Sequence, residues 1–331
     1  QRQMCIRDRL YTCDDNFIWI AGISMYSLFE NNKSMQKIHV YLLGDNVSDE
    51  NKQLLNGIAD KYHQDFDAID VPKLAIPPAL ISQRWPRSAF TRLYSAQILP
   101  LTVEKVLYLD CDTLITDDIS ELENFDMGDY IVTGVKDCVS KYYKKNIGVD
   151  EGASYINAGV LLLDIKKMRN INISHEIEKF LERYSKKMFY ADQDVLNGVF
   201  KGKFGILNPR YDVMTLLFAH TYEELQYLRK PANYYFKDEC EDAVKHPAIV
   251  HFTTCMLNIR PWFEDSAHPY ADDFEKYWNM SPWAPVKKKK MVLKSNEAKA
   301  LKILFSLPRP LAIFLLGVLH TRVRPLINKL K

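Results

Sequence analysis

Neither Gly-x-Gly-x-x-Gly nor Gly-x-x-x-x-Gly-Lys-Ser/Thr occurs anywhere in the 331 residues. The two glycine-rich routes to phosphate binding, the dinucleotide crevice and the P-loop, therefore lack support. The six cysteines, at 5, 13, 111, 138, 240 and 255, form no Cys-x-x-Cys pair and keep no regular spacing. That excludes a zinc ribbon and a disulfide framework and fits a reducing compartment. No basic stretch followed by an apolar run and a small-residue cleavage site opens the chain, so secretion is not expected. Repeats and low-complexity tracts are lacking as well, and 47% hydrophobic content is enough to bury one large core or two modest ones.

Charge is distributed unevenly. Residues 284–331 carry twelve Lys or Arg against the single acid Glu297, a net of +11 within a chain of +2, which leaves the preceding body at −9. An acidic body whose aromatics do not interleave with a basic stripe is not a nucleic-acid binder. The tail opens with four lysines, 287–290, and continues into an apolar stretch, 301–319, that Lys302, Pro308, Arg309 and Pro310 interrupt. Its uninterrupted part, 311–319, falls short of the roughly 20 residues that a spanning helix needs. The tail is expected to lie on an anionic membrane face, where each nearby Lys or Arg contributes about 1 kcal/mol. Docking of the same helix on the body is the competing reading.

Residues 1–9 are too polar to begin a buried strand, whereas Leu10, Tyr11, Thr12 and Cys13 read as the end of one. The first nine residues are expected to be a non-native segment in place of a short native start. Strands are expected at 38–43, 103–109, 130–135, 155–163 and 248–252, and helices at 16–30, 89–98, 174–184 and 193–200. A further helix opens at Ser48 and Glu50 and continues through Leu54, Leu55 and Ile58. This alternation predicts a mostly parallel sheet with helices on both faces, and ligands at the carboxyl edge of its strands.

At that edge, Lys105, Val106, Leu107, Tyr108 and Leu109 run straight into Asp110, Cys111 and Asp112. Two carboxylates one residue apart can share a divalent cation, although an acidic turn can equally cap the next element. Asp14, Asp15 and Asn16 follow the first strand and can either cap the next helix or bind a pyrimidine edge. Asn157 and Gly159 interrupt an apolar strand, and glycine there marks a close approach by ligand or backbone. Asp192, Gln193 and Asp194 sit at a helix start, where an acid can cap. His251 ends an apolar strand and could complete a metal site, although such a histidine is more often a hydrogen-bonded core residue.

Together these segments resemble glycosyltransferase family 8, the retaining group that includes bacterial lipopolysaccharide galactosyl- and glucosyltransferases and is related to glycogenin. The resemblance covers about residues 10–283. It rests on five motifs in order: Asp14-Asp15-Asn16, Phe90-Thr91-Arg92-Leu93-Tyr94, Leu109-Asp110-Cys111-Asp112, Ile156-Asn157-Ala158-Gly159-Val160 and Asp192-Gln193-Asp194-Val195-Leu196-Asn197-Gly198. A sixth, a histidine followed by a Pro-Trp pair, is His251 with Pro261-Trp262.

The resemblance implies a GT-A type α/β fold over 10–283, with 284–331 as a basic, membrane-associating tail. It implies that Thr12, Asp14 and Asn16 line a uridine site, and that Asp110, Asp112 and His251 bind manganese or magnesium against the diphosphate of a UDP-hexose. Arg92 would contact the donor's sugar or phosphates, Asn157 would lie beside the sugar, and Asp192 would hydrogen-bond its hydroxyls. Gln193 would sit near the anomeric carbon. Since an amide is a poor nucleophile, UDP departure with same-face entry of the acceptor hydroxyl is expected in place of a covalent intermediate.

The chain departs from the family pattern in two places. Thr254 stands where glycine is usual, and Arg260 stands where lysine precedes Pro-Trp and would serve the diphosphate as a cation. The segment between them is also long, nine positions from His251 to Arg260.

The activity implied is transfer of glucose or galactose to a glycan or lipid-linked acceptor at the inner face of the cell membrane. The alternatives are a sugar-nucleotide nucleotidyltransferase, disfavoured because no glycine-rich basic loop follows the first strand, and a catalytically silent membrane-associated scaffold. Residues 229–242 and the aromatic run 262–283 are expected to shape an acceptor cleft and close the domain.

Overall fold

The computed structural model describes residues 6–71, 76, 81, 86–254, 260–264, 266–284, 287–288, 290, 303–304 and 306–330. Ten strands fall into two sheets. The larger uses β1 (Asp8–Asp14), β2 (His39–Asp45), β3 (Asp65–Asp70), β4 (Lys105–Leu109), β6 (Val132–Lys136), β7 (Ile156–Asp164) and β8 (Gly205–Ile206), in the order β3-β2-β1-β4-β7-β6-β8. The smaller places β10 (Ile249–His251) between β5 (Thr113–Ile115) and β9 (Val213–Met214). In the large sheet β7 alone runs against its neighbours β4 and β6, and every other pairing is parallel. The expectation of a mostly parallel α/β sheet holds.

That one antiparallel strand matters for the site. Because β7 is reversed, its first residues, Ile156 and Asn157, arrive at the edge where β4 ends in Asp110. The small sheet supplies the remaining group. His251 in β10 lies opposite Thr113 in β5, and the Phe252 amide donates to the Asp112 carbonyl at 2.9 Å, so the histidine is delivered beside the acidic turn.

Local chemistry accounts for most of the helices. Ser48 accepts a hydrogen bond from the Asn51 amide at 3.3 Å and caps the helix Asp49–Lys61, as its sequence indicates. The helices Ile173–Tyr184 and Asp192–Phe200 lie within a residue of expectation. The first helix, Ile18–Asn31, begins later than expected. Phe17 is its cap residue and makes no side-chain cap bond. Asp14 instead receives the Asn16 amide at 3.0 Å, and Asp15 binds the Ser48 amide and hydroxyl and the Asn51 side chain, so the capping reading of this acidic turn does not hold. The continuous helix expected over 89–98 is broken into Arg87–Thr91, a 3-10 turn Arg92–Tyr94, and Ser95–Ile98. That tighter turn carries Arg92.

The first strand corrects another expectation. It begins at Asp8, so Asp8 and Arg9, expected to fall in a non-native segment, are part of it. Asp8 and Arg9 pair with His39 and Val40 on one side and with Val106 and Leu107 on the other. Arg9 is fully buried. Nη1 donates to the Ile6 carbonyl at 2.6 Å and Nη2 lies 3.4 Å from the Met35 sulfur, while Nε has no partner. Strand β3, Asp-Phe-Asp-Ala-Ile-Asp, has no apolar run to announce it. It is a half-exposed edge strand protected by its acids.

The aromatic run 262–283 packs as core against the first helix. Trp19 meets Trp278 at 4.9 Å and Trp262 at 6.3 Å between ring centroids, and Trp283 covers Gly22 so closely that a Cβ there would collide with its ring. These rings close the domain.

The tail helix is longer than its uninterrupted apolar run. It extends over Arg309–Val318, a π-helical turn Leu319–Val323 and Arg324–Leu330, and the stretch Arg309–Ile327 is, by length and composition alone, sufficient to cross a membrane. One face is docked on the body. Ile313, Leu316, Gly317, His320 and Thr321 are buried, and Arg309 forms a two-pronged pair with Glu224 at 2.6 and 2.7 Å. The other face exposes Leu311, Phe314, Leu315, Val318, Leu319, Val323, Leu326 and Ile327.

Candidate active site

A cavity of about 370 Å³ opens at the carboxyl edge of β4. Arg92, Asp110, Asp112, Asn157, Asp192, Gln193, His251 and Arg260 all line it. Thr12, Asp14 and Asn16 do not. Thr12 and Asp14 are among the last residues of β1 and Asn16 lies just after it. Thr12 Oγ1 lies 3.1 Å from the Tyr108 hydroxyl, which donates to Asp110 Oδ1 at 2.6 Å, and the Thr12 carbonyl accepts from Cys111 Sγ at 3.5 Å.

Arg92 organises one wall. Buried in its 3-10 turn, it reaches Asp110 Oδ1 at 2.8 Å through Nη2, Asp192 Oδ2 at 3.1 Å through Nε, and the Ala158 carbonyl at 2.5 Å through Nη1. Burial alone would favour the neutral guanidine, but Asp110 and Asp192 outweigh it and keep the group charged. Leaving such a buried cation without one of its partners costs about 3–5 kcal/mol, so these three side chains hold their geometry as a unit. Burial also lifts the Asp192 carboxyl to about 6, against the pull of Arg92.

With Oδ1 of Asp110 engaged, Oδ2 turns toward His251. Asp110, Asp112 and His251 each present a ligand atom, and these atoms lie within 4.8 Å of one another. His251 Nε2 is 3.3 Å from Asp112 Oδ1 and 3.7 Å from Asp110 Oδ2. Its other nitrogen, Nδ1, is 2.9 Å from Oδ1 of the fully buried Asp212. A proton on Nδ1 donated to Asp212 leaves the Nε2 lone pair facing the two aspartates, the arrangement that orients a metal-binding imidazole.

The local field asks for positive charge at that point. Although burial opposes it, Asp212 and Asp112 draw the His251 imidazole well above its ordinary range. Burial would raise the Asp112 carboxyl too, yet Arg260, at 2.9 Å, and His251 hold it at about 2. Two carboxylates and an imidazole form a hard, mixed oxygen and nitrogen donor set that fits Mn²⁺ or Mg²⁺. These three residues can hold a metal ion.

Gly159 serves this cluster. A Cβ there would strike the His251 ring, so the close approach signalled by a glycine within the strand is that of a side chain. Asn157 folds back, its Oδ1 accepting the Gly159 amide at 2.7 Å and its Nδ2 lying 3.3 Å from the Met214 sulfur.

The second acidic segment is held by strain and hydrogen bonds. Ala191 adopts φ 48°, a conformation rare for a residue with a side chain, immediately before Asp192. Asp194 stabilises the turn by accepting the Phe189 and Tyr190 amides at 2.6 and 2.7 Å and the Tyr155 hydroxyl at 2.6 Å. Asp194 therefore holds this turn in place. Gln193 is anchored at both ends, with Nε2 donating to Asp137 at 2.8 Å and Oε1 accepting the Ala158 amide at 3.2 Å.

Asp137, Tyr190, Arg229, Thr253 and Thr254 also line the cavity. Asp137 follows β6, which runs parallel to β4, so an acid at its end carries the same signal as Asp110 and was readable. Asp212 was not, because it sits in an irregular link between a 3-10 turn and a two-residue strand. Thr254 and Arg260 border the cavity, while residues 255–259, which carry the lengthened loop, lie outside the described residues.

Comparison with known proteins agrees with this geometry. Residues 9–266 match the family model for glycosyl transferase family 8. General stress protein A of Bacillus subtilis is 26% identical over 273 residues, 82% of this chain and 92% of that protein. A lipopolysaccharide 1,2-glucosyltransferase of Escherichia coli is 28% identical over 300 residues, 87% and 83% of the two chains. Among solved structures, the galactosyltransferase LgtC in complex with donor and acceptor sugar analogs superposes with a TM-score of 0.67 at 26% identity, over 84% of this chain and 97% of that one. The reversed strand, the acidic turn at its neighbour's end and the histidine delivered from the small sheet thus sit within a matched segment that covers most of the chain, and the protein belongs to glycosyl transferase family 8.

Proposed function

We propose that this protein is a retaining hexosyltransferase that moves glucose or galactose from a UDP-sugar to a hydroxyl of a glycan or lipid-linked acceptor, forming an α-linkage and depending on Mn²⁺ or Mg²⁺. The observation that carries the reading is the convergence of Asp110, Asp112 and His251 beneath Arg92 and Arg260. Three ligands stand beside two guanidinium groups able to receive a diphosphate. When bound there, a divalent ion supplies Lewis acidity to the departing diphosphate.

The chain's own groups divide the remaining work. Thr12, Asp14 and Asn16 serve the uridine end of the donor, one strand away from the acidic turn. Arg260 serves the phosphates and Arg92 the sugar or phosphates, Asn157 and Asp192 orient the sugar, and Gln193 lies against its anomeric carbon. Gln193 is fixed by Asp137 and the Ala158 amide and acts by position, not as a nucleophile. The Asp192 carboxylate is committed to Arg92, which supports same-face entry of the acceptor hydroxyl with the departing phosphate as base. Trapping a sugar ester on Asp192 by mass spectrometry would overturn that route.

The transferase domain extends to residue 283, and the basic tail 284–331 rests on the inner, cytoplasmic face of the membrane. In support, the docked helix turns an apolar stripe outward within a segment of net charge +11. Calorimetric titration with UDP tests the donor site. Binding in the presence of Mn²⁺ that disappears with chelator is expected, and UDP affinity indifferent to metal contradicts the reading.

A further inference from the structure

A second cavity, of about 600 Å³, lies between the C-terminal helix and the helix Lys141–Asn146. Lys145, Lys187 and Arg322 converge on it together with Tyr142, Tyr184 and Leu326, and no carboxylate among the described residues lines it. Lys145 is paired with Glu151. Among the described residues, neither Lys187 nor Arg322 has an ion-pair partner, so the groove carries an uncompensated positive charge.

Its shape is fixed by buried contacts. Asn146 is buried and donates to the Pro325 carbonyl at 2.9 Å, which ties the tail helix to the floor. Tyr184 packs where Gly148, at φ +72°, leaves space that a Cβ would fill. On its outer side the groove opens onto apolar surface. Leu326 lines the groove and is itself exposed, and Leu319 and Val323, seven and three residues before it, continue the exposed stripe along the same helix face. A ligand suited to both surfaces is anionic at one end and apolar at the other.

We propose that this groove binds the phosphate of an anionic phospholipid head group, with the acyl chains lying along the Leu319, Val323 and Leu326 stripe. The inference rests on the membrane reading of the tail and makes it specific. General attraction of a basic segment to an anionic surface needs no cavity, whereas basic pockets between helices recognise individual head groups. Arg322 supplies a planar donor fork, Lys187 and Lys145 point charges, and the two phenols further hydrogen bonds to phosphate oxygens.

The test uses the full chain and dihexanoyl-phosphatidylglycerol below its micelle concentration, titrated by calorimetry, where no membrane surface potential exists. Inorganic phosphate and dihexanoyl-phosphatidylcholine are compared, and K187Q/R322Q is set against K329Q/K331Q, which removes equal charge from the end of the tail. Saturable binding of the phosphatidylglycerol, weakened about tenfold or more in K187Q/R322Q and little changed in K329Q/K331Q, is expected. Inorganic phosphate binding as tightly as the lipid would overturn the assignment in favour of a free-phosphate site. Sedimentation with phosphatidylglycerol vesicles separates the two readings. Vesicle binding lost equally in both variants, without saturable short-chain binding, sinks the groove and leaves the membrane reading standing. No vesicle binding by the native chain sinks both. Unaltered melting temperatures in both variants establish that the fold is intact.

Discussion

His320 of the C-terminal helix and Arg229 of the catalytic cavity are hydrogen-bond partners, with Nε2 of the imidazole 2.7 Å from Nη1 of the guanidinium. The same guanidinium nitrogen donates to the Tyr190 hydroxyl at 3.1 Å, two residues before Asp192. The docked C-terminal helix is thus connected, through Arg229 and Tyr190, to the wall of the cavity. The imidazole must be neutral to accept from Arg229. Burial, reinforced by Arg229 and Arg324, holds its pKa at about 3.

Docking of the tail is therefore sensitive to acid. A histidine whose pKa falls on docking stabilises the docked state fully above its ordinary value near 6.5, and that contribution is lost as pH falls toward 3. His220, buried beside Glu224 at the same interface, is shifted down as well, so it acts in the same direction. Hydrogen exchange of residues 309–327 should show protection that declines between about pH 6.5 and 4 and flattens in His320→Gln. Protection that stays constant over that range would contradict the neutral imidazole.

Asp212 touches no cavity-lining group other than His251 in the contacts described, yet it fixes which imidazole nitrogen faces the aspartates. Asp212→Asn should lower Mn²⁺ affinity by about 10–100-fold, with the fold retained, as measured by calorimetry. Unchanged affinity would mean that His251 is oriented by packing alone.

Gly159→Ala is a steric version of the same experiment. The added methyl would drive the His251 ring out of register with Asp112, and a displacement on the order of 1 Å costs about 100-fold in rate. Loss of turnover with normal melting is the expected outcome. Normal turnover would show that the imidazole can move without consequence.

Arg9 stands fully buried in β1, with no carboxylate ion-pair partner among the described residues and with Nε unbonded there. Arg9→Leu should raise stability by about 1–3 kcal/mol in urea denaturation, because an apolar side chain removes a buried, incompletely paired charge. A loss of stability would show that the Ile6 carbonyl and Met35 contacts compensate for that burial.

What could be read in advance follows from where each signal resides. Lys105 to Asp112 declared a buried strand and its acidic exit because burial on both faces forces an unbroken apolar run. Arg92, Asn157, Asp192, Gln193 and His251 were legible as polar intrusions into such runs. Asp212 was not, since its importance arises from β10 pairing, and Arg229 fell within the 229–242 segment expected at the acceptor cleft while its bond to His320 was not legible, both being contacts between segments far apart in sequence. Arg9 misled in the opposite direction. A charged residue argued against a strand start, yet pairing with both β2 and β4 holds it there. The break at Arg92 had no local cue either, because Ala89, Phe90, Leu93 and Ala96 keep a helical pattern through it.

The central claim is tested most directly by UDP release from UDP-glucose and UDP-galactose in turn, with and without Mn²⁺, comparing the native chain with Asp110→Asn/Asp112→Asn. Release from one donor that requires the metal and vanishes in the variant is the predicted result. Metal-independent release, equal release in the variant, or pyrophosphate in place of UDP would contradict the account.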